Sequence, residues 1–225
     1  WLQTGPYGGT VNCFVTMGTN IFAGTGDGGV FLSTNNGQSW NVVNTGLTYT
    51  PGNALGESGT NPSVYALAVS GTNLFAGTEY GGVFLSTNNG TSWNAVNTGL
   101  TNTSVYALAV SGTNLFAGTM YGGIFLSTNN GTNWTAVNSG LTNTDVRSIA
   151  VSGTNLFAGT YGGVFLSTNN GQSWTEANNG LTDPYVRTLT VNGVNLYAGT
   201  EGGGGVFLST NNGTNWSSIK NNLPN

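Results

Sequence analysis

The eight residues Ser33-Thr34-Asn35-Asn36-Gly37-Gln38-Ser39-Trp40 decide how this chain folds, because close copies of them recur along its length. The other copies are Ser86–Trp93, Ser127–Trp134, Ser167–Trp174 and Ser209–Trp216. Each copy follows a short apolar run and precedes another extended stretch. Because Asn and Gly tolerate the backbone conformations of tight turns, this octapeptide predicts a turn between two strands.

The tryptophans of these copies define the repeat. They lie at positions 40, 93, 134, 174 and 216, so that successive intervals are 53, 41, 40 and 42 residues. The long first interval contains an insertion at 49–62, whose Pro, Gly and Ser content predicts a loop. Segments Ser63–Asn102 and Ser104–Asn143 differ at only five aligned positions, which implies nearly identical structures. A regular period of this length is typical of repeat architectures.

Each repeat contains four strand candidates, which in the second repeat are Val64–Val69, Leu74–Thr78, Val83–Ser86 and Trp93–Val96. Both faces of the first three strands are apolar, whereas a sheet with one face in water would alternate. Such sheets need cover on both sides, and a β-propeller supplies it because each blade packs between two others. The sequence therefore predicts an all-β fold, a five-bladed β-propeller with four antiparallel strands per blade.

The predicted propeller occupies residues 1–225 as a single domain. Residues 1–7 are expected to pair where the first and last blades meet, as an extra or a replacement outer strand. Residues 49–62 form the inserted loop. The five blades are placed at approximately 8–46, 63–99, 104–140, 145–180 and 185–221.

The octapeptide resembles the Asp-box, or BNR repeat, of sialidases and many other propellers, with the box Asp replaced by Asn in every copy. The resemblance implies that the box lies on the turn between the third and fourth strands, away from the ligand-binding face, and is structural. It also implies very different functions, among them glycosidases, lectins, receptor ectodomains and photosystem II assembly factors, between which fold alone does not choose. The residues assigned to this structural box are Asn35, Trp40, Asn88, Trp93, Asn129, Trp134, Asn169, Trp174, Asn211 and Trp216.

The charge composition excludes several classes of function. The chain has 3 Lys and Arg residues against 7 Asp and Glu residues, for a net charge of −4. Binding to nucleic acid or to anionic lipid needs more cations than this, so we predict neither. The chain has no histidine, the commonest general base and metal ligand, and we predict no metal and no cofactor. No apolar stretch approaches about 18 residues, so no membrane insertion is predicted.

The remaining composition bears on location and assembly. An Asn-, Thr- and Gly-rich chain with so few charges suits a secreted or cell-surface protein, although no signal peptide is visible. The single cysteine, Cys13, allows no intrachain disulfide, and its apolar neighbours predict a small buried core residue. We expect a monomer.

One face of the predicted propeller gathers the residues that could bind a ligand. If the octapeptides mark one face, the starts of the first strands and the turns between second and third strands share the other. Tyr rings stack on the C–H faces of sugars, amides and carboxylates bond hydroxyls, and Arg can bind a carboxylate or sulfate bidentately. The candidates are Asn12, Tyr65, Tyr106, Arg147, Arg187, Asp27, Tyr80, Tyr121, Tyr161, Asp145 and Asp183, with Glu79 and Glu201 beside them.

Structural interpretations of these residues stay open beside the functional one. The Tyr rings would then plug the mouth of a central tunnel, while Arg147–Asp145 and Arg187–Asp183 form ordinary surface pairs. The tyrosines of the turns between second and third strands would act as lids on the glycines that follow them.

Catalysis is not expected from this set of residues. The family's sialidase site uses three arginines, and this chain has two. A glycosidase needs two carboxylates about 5–9.5 Å apart, for which Asp145 and Asp183 of neighbouring blades are the best pair. An adjacent arginine would favour their ionised state, which is the wrong state for a general acid. Glu201–Gly205 resembles a phosphate loop only in its glycines, because it opens no helix and lacks the lysine.

We therefore interpret the chain as a non-catalytic binding or interaction propeller, with a neutral or acidic glycan as the leading ligand. One alternative is a purely structural or protein-interaction scaffold, either engineered or a segment of a larger secreted protein. The near-identity of the blades favours that alternative, because repeats shaped for one site usually diverge there. A second alternative is a glycoside-active enzyme.

Overall fold

Short antiparallel strands joined by tight turns make up the regular structure. The structure is a computed structural model and describes residues 5–6, 9–48 and 61–219. In this part of the chain the strands form five sheets, and within each sheet the four strands are neighbours in sequence order. The fold is a five-bladed β-propeller with four antiparallel strands per blade, and the predicted fold class is confirmed.

Each blade is a meander of three longer strands and a short outer one. The first two blades comprise β1 (Val11–Met17), β2 (Asn20–Thr25), β3 (Val30–Ser33), β4 (Asn41–Val42), β5 (Val64–Ser70), β6 (Asn73–Thr78), β7 (Gly82–Ser86) and β8 (Asn94–Ala95). The third comprises β9 (Val105–Ser111), β10 (Asn114–Thr119), β11 (Gly123–Ser127) and β12 (Thr135–Ala136). The last two comprise β13 (Val146–Ser152), β14 (Asn155–Thr160), β15 (Gly163–Ser167), β16 (Thr175–Glu176), β17 (Val186–Asn192), β18 (Asn195–Thr200), β19 (Val206–Ser209) and β20 (Ser217–Ser218).

The chain divides into two compact units. One comprises Trp1–Leu115 with Ser127–Trp134, and the other comprises Phe116–Leu126 with Thr135–Asn225. Within the first unit the inner strand β5 packs between β1 and β9, and within the second β13 packs against β17. Neighbouring blades thus meet along their inner strands inside each unit. The single-domain organisation stays a prediction.

The octapeptide turn is held by its own side chains. In the third copy Ser127 Oγ accepts the backbone N–H of Gly131 at 2.8 Å and donates to Asn129 Oδ1 at 2.9 Å. The same Asn129 oxygen accepts the backbone N–H of Asn133 at 2.9 Å. Asn130 adopts a φ of 54°, a left-handed conformation that Asn tolerates better than most residues. Equivalent bonds recur in the other four copies, so the predicted turn is confirmed.

The tryptophan that ends the octapeptide joins one blade to the preceding one. Trp93 Nε1 donates to the carbonyl oxygen of Val43 at 2.7 Å. Trp134, Trp174 and Trp216 make the equivalent bond at 2.7–2.8 Å. These four tryptophans are only 2–4% exposed, so each buries a large ring and satisfies its N–H at the same contact.

The boundaries of the outer strand differ from the prediction. The sequence predicted a strand over Trp93–Val96, but β8 covers only Asn94–Ala95. The reason is that the backbone N–H of Trp93 donates to Thr45 of the preceding blade, at 2.9 Å, instead of joining its own sheet. Trp40 is an exception within the described part of the chain: its Nε1 is buried without a hydrogen-bond partner, and its ring is less buried than the other four.

In the first four blades the core lies on both faces of the second and third strands, whereas β18 and β19 of the fifth blade are buried mainly on one face. Phe22, Phe75, Phe116 and Phe157 of the second strands are 0% exposed, and each fully buried ring contributes about 1.5–3 kcal/mol to folding. Strand β1 departs from the expectation of two apolar buried faces. Its residues alternate between half-buried and exposed, and Phe14 lies largely in solvent.

An asparagine that the sequence analysis did not single out anchors the third strand. Asn97 Oδ1 accepts the backbone N–H of Val83 at 2.7 Å, and its Nδ2 donates to the carbonyl of Gly81 at 2.8 Å. The equivalent Asn44, Asn138 and Asn178 accept from the third strands of their own blades at 2.7–2.8 Å. These bonds fix the turns between second and third strands, which carry several of the candidate residues.

Two predicted segments fall mostly or wholly outside the described residues: the closure strand at 1–7 and the inserted loop at 49–62. Within the described part of the chain, no helix has the length and apolar character needed to cross a bilayer.

Candidate binding site

The candidate residues at the starts of the first strands occupy β-bulges. The register of the first pair of strands shifts between Val64 and Ala66, and the equivalent shift recurs in the first, fourth and fifth blades. A bulge leaves one residue unpaired and can re-aim its side chain away from the regular alternation. The bulged residues are Asn12, Tyr65, Arg147 and Arg187, and Tyr106 holds the same place in β9.

In the first unit, two of these residues form an aromatic stack. The rings of Tyr65 and Tyr106 lie 4.3 Å apart at an interplanar angle of 19°. The hydroxyl of Tyr65 donates to Glu79 at 3.3 Å. Burial, followed by the neighbouring Tyr106 and Glu79, raises the pKa of Tyr65, which keeps it neutral. The two rings cover one another, so this group is a packed pair with a polar edge.

The other candidates of the first unit serve different purposes. Asn12 donates its side-chain amide to the carbonyl of Val64 at 3.1 Å and so links two blades. Asp27 is exposed on the turn between β2 and β3. Tyr80 is half-buried and adopts a φ of 63°, which is rare for a bulky side chain.

In the second unit, a buried ion pair underlies the site. Arg147 Nε lies 2.7 Å from Asp145 Oδ1, and its terminal nitrogen donates to Asp145 Oδ2 at 2.9 Å. The side chains are 8% and 5% exposed, respectively, so the interpretation of an ordinary surface pair is wrong. Both carboxylate oxygens face the guanidinium, which offsets the cost of burying the two charges.

Tyr161 lies at the centre of this group. The guanidinium carbon of Arg147 is 4.7 Å from the centroid of its ring, and that of Arg187 is 6.0 Å away. The edge of Tyr185 approaches the ring with a centroid separation of 5.6 Å and an angle of 82°. Its hydroxyl donates to Glu201. That bond, together with burial, raises the pKa of Tyr161 against the opposing effect of the two arginines.

Arg187 pairs with a different carboxylate from the one predicted. Its Nε lies 3.2 Å from Glu201 Oε2, and the side chains of the pair are 47% and 49% exposed. The predicted Arg187–Asp183 pair is therefore wrong. Asp183 is buried and accepts the backbone N–H groups of Gly204 at 2.8 Å and Tyr185 at 3.1 Å. The glycine-rich turn between β18 and β19 thus folds around a carboxylate of the protein itself.

Tyr121 does not belong to these contacts. It is 68% exposed on the turn between β10 and β11 and adopts a φ of 64°. Such exposure contradicts the interpretation of this ring as a lid on its glycines. The equivalent turn of the fourth blade is one residue shorter, and there Tyr161 adopts no left-handed conformation and its ring contacts Arg147 and Tyr185.

Two residues of the second-unit cluster were missing from the predicted binding set. Tyr185 is 48% exposed and comes directly before β17, and Glu201 follows β18. Glu201 was noted as a neighbour of the set, whereas Tyr185 was not noted at all. The signal for both was their place at the same strand ends as the predicted residues. We call Tyr161, Tyr185, Arg187 and Glu201, with Asp145–Arg147 beneath them, the Tyr161 cluster.

Neither Cys13 nor the acidic residues form a reactive or metal-binding site in the described part of the chain. Burial raises the pKa of the Cys13 thiol to about 12, so it stays protonated and unreactive at neutral pH. Among the described residues, no group of three or more His, Cys, Asp or Glu side chains is arranged to hold a metal ion.

The architecture and the repeats define this chain as a β-propeller domain, a class suited to binding or scaffold roles. Residues 101–225 match the family model described as the DUF6242 beta propeller domain. Since this match spans more than half of the chain, the chain belongs to that family. No curated protein matches it.

Several solved structures share the fold. An ancestral GH74 enzyme is 24% identical with a TM-score of 0.73, over 96% of this chain and 32% of that one. The extracellular domain of the putative one-component system BT4673 from B. thetaiotaomicron is 19% identical with a TM-score of 0.73, over 96% and 28%. YCF48, bound to the D1 peptide, is 15% identical with a TM-score of 0.68, over 94% and 67%. This chain thus spans about a third or less of the first two proteins, and at these identities the likeness shows the fold alone.

Proposed function

We propose that this chain is a non-catalytic module that binds carbohydrate through the Tyr161 cluster. The observation that carries the proposal is a half-exposed aromatic ring, Tyr185, and a half-exposed ion pair, Arg187–Glu201, which both contact Tyr161. An aromatic ring can stack on the C–H face of a sugar, and charged planar groups can bond its hydroxyls.

The buried part of the cluster supports the proposal because it holds the binding surface in place. Asp145 fixes the guanidinium of Arg147, which lies against one face of the Tyr161 ring. The Tyr161 hydroxyl is in turn fixed by Glu201. A surface that is already ordered loses little conformational entropy when a ligand binds, which favours affinity.

The absence of catalysis is part of the proposal. The carboxylate oxygens of Asp145 are occupied by Arg147, and those of Asp183 accept backbone N–H groups. Neither is positioned to exchange a proton with a substrate, whereas glycoside hydrolysis uses two such carboxyl groups.

We also propose that the octapeptides are Asp-boxes in which Asn replaces Asp. An Asp in this position would serve as a hydrogen-bond acceptor, and Asn129 Oδ1 accepts both the Ser127 hydroxyl and the Asn133 backbone N–H. In the copies that end in Ser-Trp, the amide also donates to that serine hydroxyl at 2.9 Å, a bond that a carboxylate could not make.

An extracellular location is the last part of the proposal. It is supported by the charge-poor composition and by the fold shared with an extracellular domain. Secretion or cell-surface display would place a carbohydrate-binding module where glycans occur.

A glycan array tests the proposal. We expect the protein to bind a subset of glycans and the Tyr185→Ala variant to lose that signal. Tyr121→Ala is the matched control, since it removes an even more exposed ring from a turn outside the cluster, and it should bind as the wild type does. Binding that survives Tyr185→Ala but is lost in Tyr121→Ala would contradict the assignment of the site.

A protein-interaction scaffold is the second candidate. Its support is the near-identity of Ser63–Asn102 and Ser104–Asn143, because this region has not diverged towards one specific site. Silence of the wild-type protein across a broad array would favour the scaffold and overturn carbohydrate binding. Turnover of aryl-glycosides that is lost on Asp145→Asn would instead favour an enzyme.

A further inference from the structure

We propose that the Tyr161 cluster selects neutral sugars that present two adjacent hydroxyl groups, and that Glu201 excludes acidic sugars. This inference rests on the proposed carbohydrate binding and specifies the class of ligand. The sequence alone left both neutral and acidic glycans open, because it did not establish which carboxylate each arginine faces.

The charges of the cluster are the first argument. Each guanidinium already faces a carboxylate, Arg147 with Asp145 and Arg187 with Glu201. Asp183 adds a third carboxylate next to Tyr185, so the region has no excess of positive charge to attract an anion. The chain as a whole carries a net charge of −4, which adds to the repulsion.

The position of Glu201 beside Arg187 is the second argument. The terminal nitrogens of Arg187 could donate to the carboxylate of an acidic sugar, but that carboxylate would then lie next to Glu201, whose Oε2 is 3.2 Å from Arg187 Nε. Glu201 also accepts the hydroxyl of Tyr161, which holds it at this position. Like charges in contact cost affinity, so binding of the acidic sugar is unfavourable.

The hydrogen-bonding pattern of the pair is the third argument. A guanidinium only donates hydrogen bonds, and an ionised carboxylate only accepts them. The two groups lie side by side with their side chains half-exposed. Two hydroxyls on adjacent carbons match this pattern, because one can accept from Arg187 while the other donates to Glu201. The adjacent Tyr185 ring can then stack on the C–H face of the same sugar.

Matched pairs of sugars test the inference directly. Galactose with galacturonic acid and glucose with glucuronic acid differ only in the oxidation of one carbon. Affinities are measured by saturation-transfer NMR or calorimetry for the wild type, Glu201→Gln and Glu176→Gln. Glu176 is an exposed carboxylate on β16, bonded to Thr142, so its variant removes the same charge outside the cluster.

We expect the wild type to bind the neutral member of at least one pair about tenfold or more tightly than the acidic member, the size of effect that one unfavourable charge contact produces. Glu201→Gln keeps a hydrogen-bond acceptor but removes the charge, so binding of the acidic member should rise about tenfold. Such a gain cannot come from a misfolded variant. Glu176→Gln should change neither value.

Four results would overturn the inference. A wild-type preference for uronic acids, or an unchanged ratio in Glu201→Gln, would refute the role of Glu201 while leaving carbohydrate binding intact. Equal changes in Glu201→Gln and Glu176→Gln would mean that overall charge, not this contact, sets the selectivity. Absence of binding to any array glycan would refute the proposed function itself, and with it this inference.

Discussion

Asp183 keeps its charge inside the protein because backbone amides surround it. Burial alone would raise its pKa, but hydrogen bonds from Gly204 and Tyr185, with further ones from Thr200 and Gly202, outweigh burial and lower the pKa below the ordinary value of 3.8. The turn that presents Glu201 therefore depends on an ionised carboxylate at its centre. A glycine-rich turn that could be mistaken for a phosphate site is occupied by the protein's own anion.

The lowered pKa of Asp183 predicts acid-dependent stability. Since its folded pKa lies below its unfolded pKa, its contribution is present above the unfolded value and is lost as the pH falls through the folded one. We expect Asp183→Asn to lower the free energy of unfolding by about 1–3 kcal/mol near pH 7, by weakening hydrogen bonds to a charged acceptor. The difference from wild type should shrink below about pH 4.

Urea denaturation at a series of pH values measures this difference. Glu176→Gln removes an exposed carboxylate and is the control. Its stability difference from wild type should not depend on pH in this way. A gap between wild type and Asp183→Asn that stays constant down to the lowest pH would show that the charge of Asp183 does not support the turn.

The pairing of single residues was the least predictable feature. Arg187 lies four residues from Asp183 in sequence, and this spacing suggested an ion pair that the structure does not contain. The structure instead places Arg187 beside Glu201, which follows Thr200, the partner of Val186 across the β17–β18 hairpin. A bulge depends on how two strands align, so the residues around Arg187 did not by themselves predict which carboxylate it pairs with.

The contact between neighbouring blades within each unit is built around a buried tryptophan. In four copies of the octapeptide the indole is buried and donates to the preceding blade, and the backbones of the two blades approach each other closely at this contact. Gly99, with a φ of 85°, shows how close the approach is, because a Cβ at this position would collide with the carbonyl oxygen of Trp134.

Trp134→Ala should lower the free energy of unfolding by about 3–5 kcal/mol, the range for deletion of a buried aromatic side chain. It loses both the packing of a ring that is 4% exposed and the bond to Val96. Trp40→Ala is the matched control and should cost less, because its ring is less buried and its N–H has no partner to lose. Equal losses in the two variants, measured by chemical denaturation, would contradict this account of the contact.

Strands and turns were predictable because their causes are local. Asn-Gly pairs in left-handed conformations, such as Asn36-Gly37, and apolar strands of regular length repeat five times, so one repeat predicts the others. The boundary of the outer strand was not predictable in the same way. Trp93 leaves its own sheet for a bond to Thr45 of another blade, and a pattern within one repeat contains no information on that contact.

At the scale of the whole molecule, the small number of charged residues determines which ligands are attracted electrostatically. With three cations and a net charge of −4, the chain has little positive charge that would draw in an anion. The blades of the propeller supply rigid strand ends, and the function we propose depends on the side chains that two neighbouring blades place there. Differences between otherwise similar repeats therefore carry more functional information than their common features.

The low charge predicts binding that is insensitive to salt. We expect the affinity for a neutral sugar to change less than about twofold between about 50 and 500 mM NaCl, because no ion pair forms with the ligand. Calorimetric titrations at several salt concentrations provide the measurement. Steep weakening with salt would indicate an anionic ligand and argue against the neutral class.

The central claim is that the Tyr161 cluster binds sugar, and an NMR titration of the isotopically labelled protein tests it most directly. With a glycan identified on the array, we expect the largest amide shifts at residues 185–187 and 201–205, around Tyr185, Arg187 and Glu201. The octapeptide turns should stay unchanged and act as internal controls. Shifts confined to those turns, or to the Tyr65–Tyr106 pair, would contradict the claim.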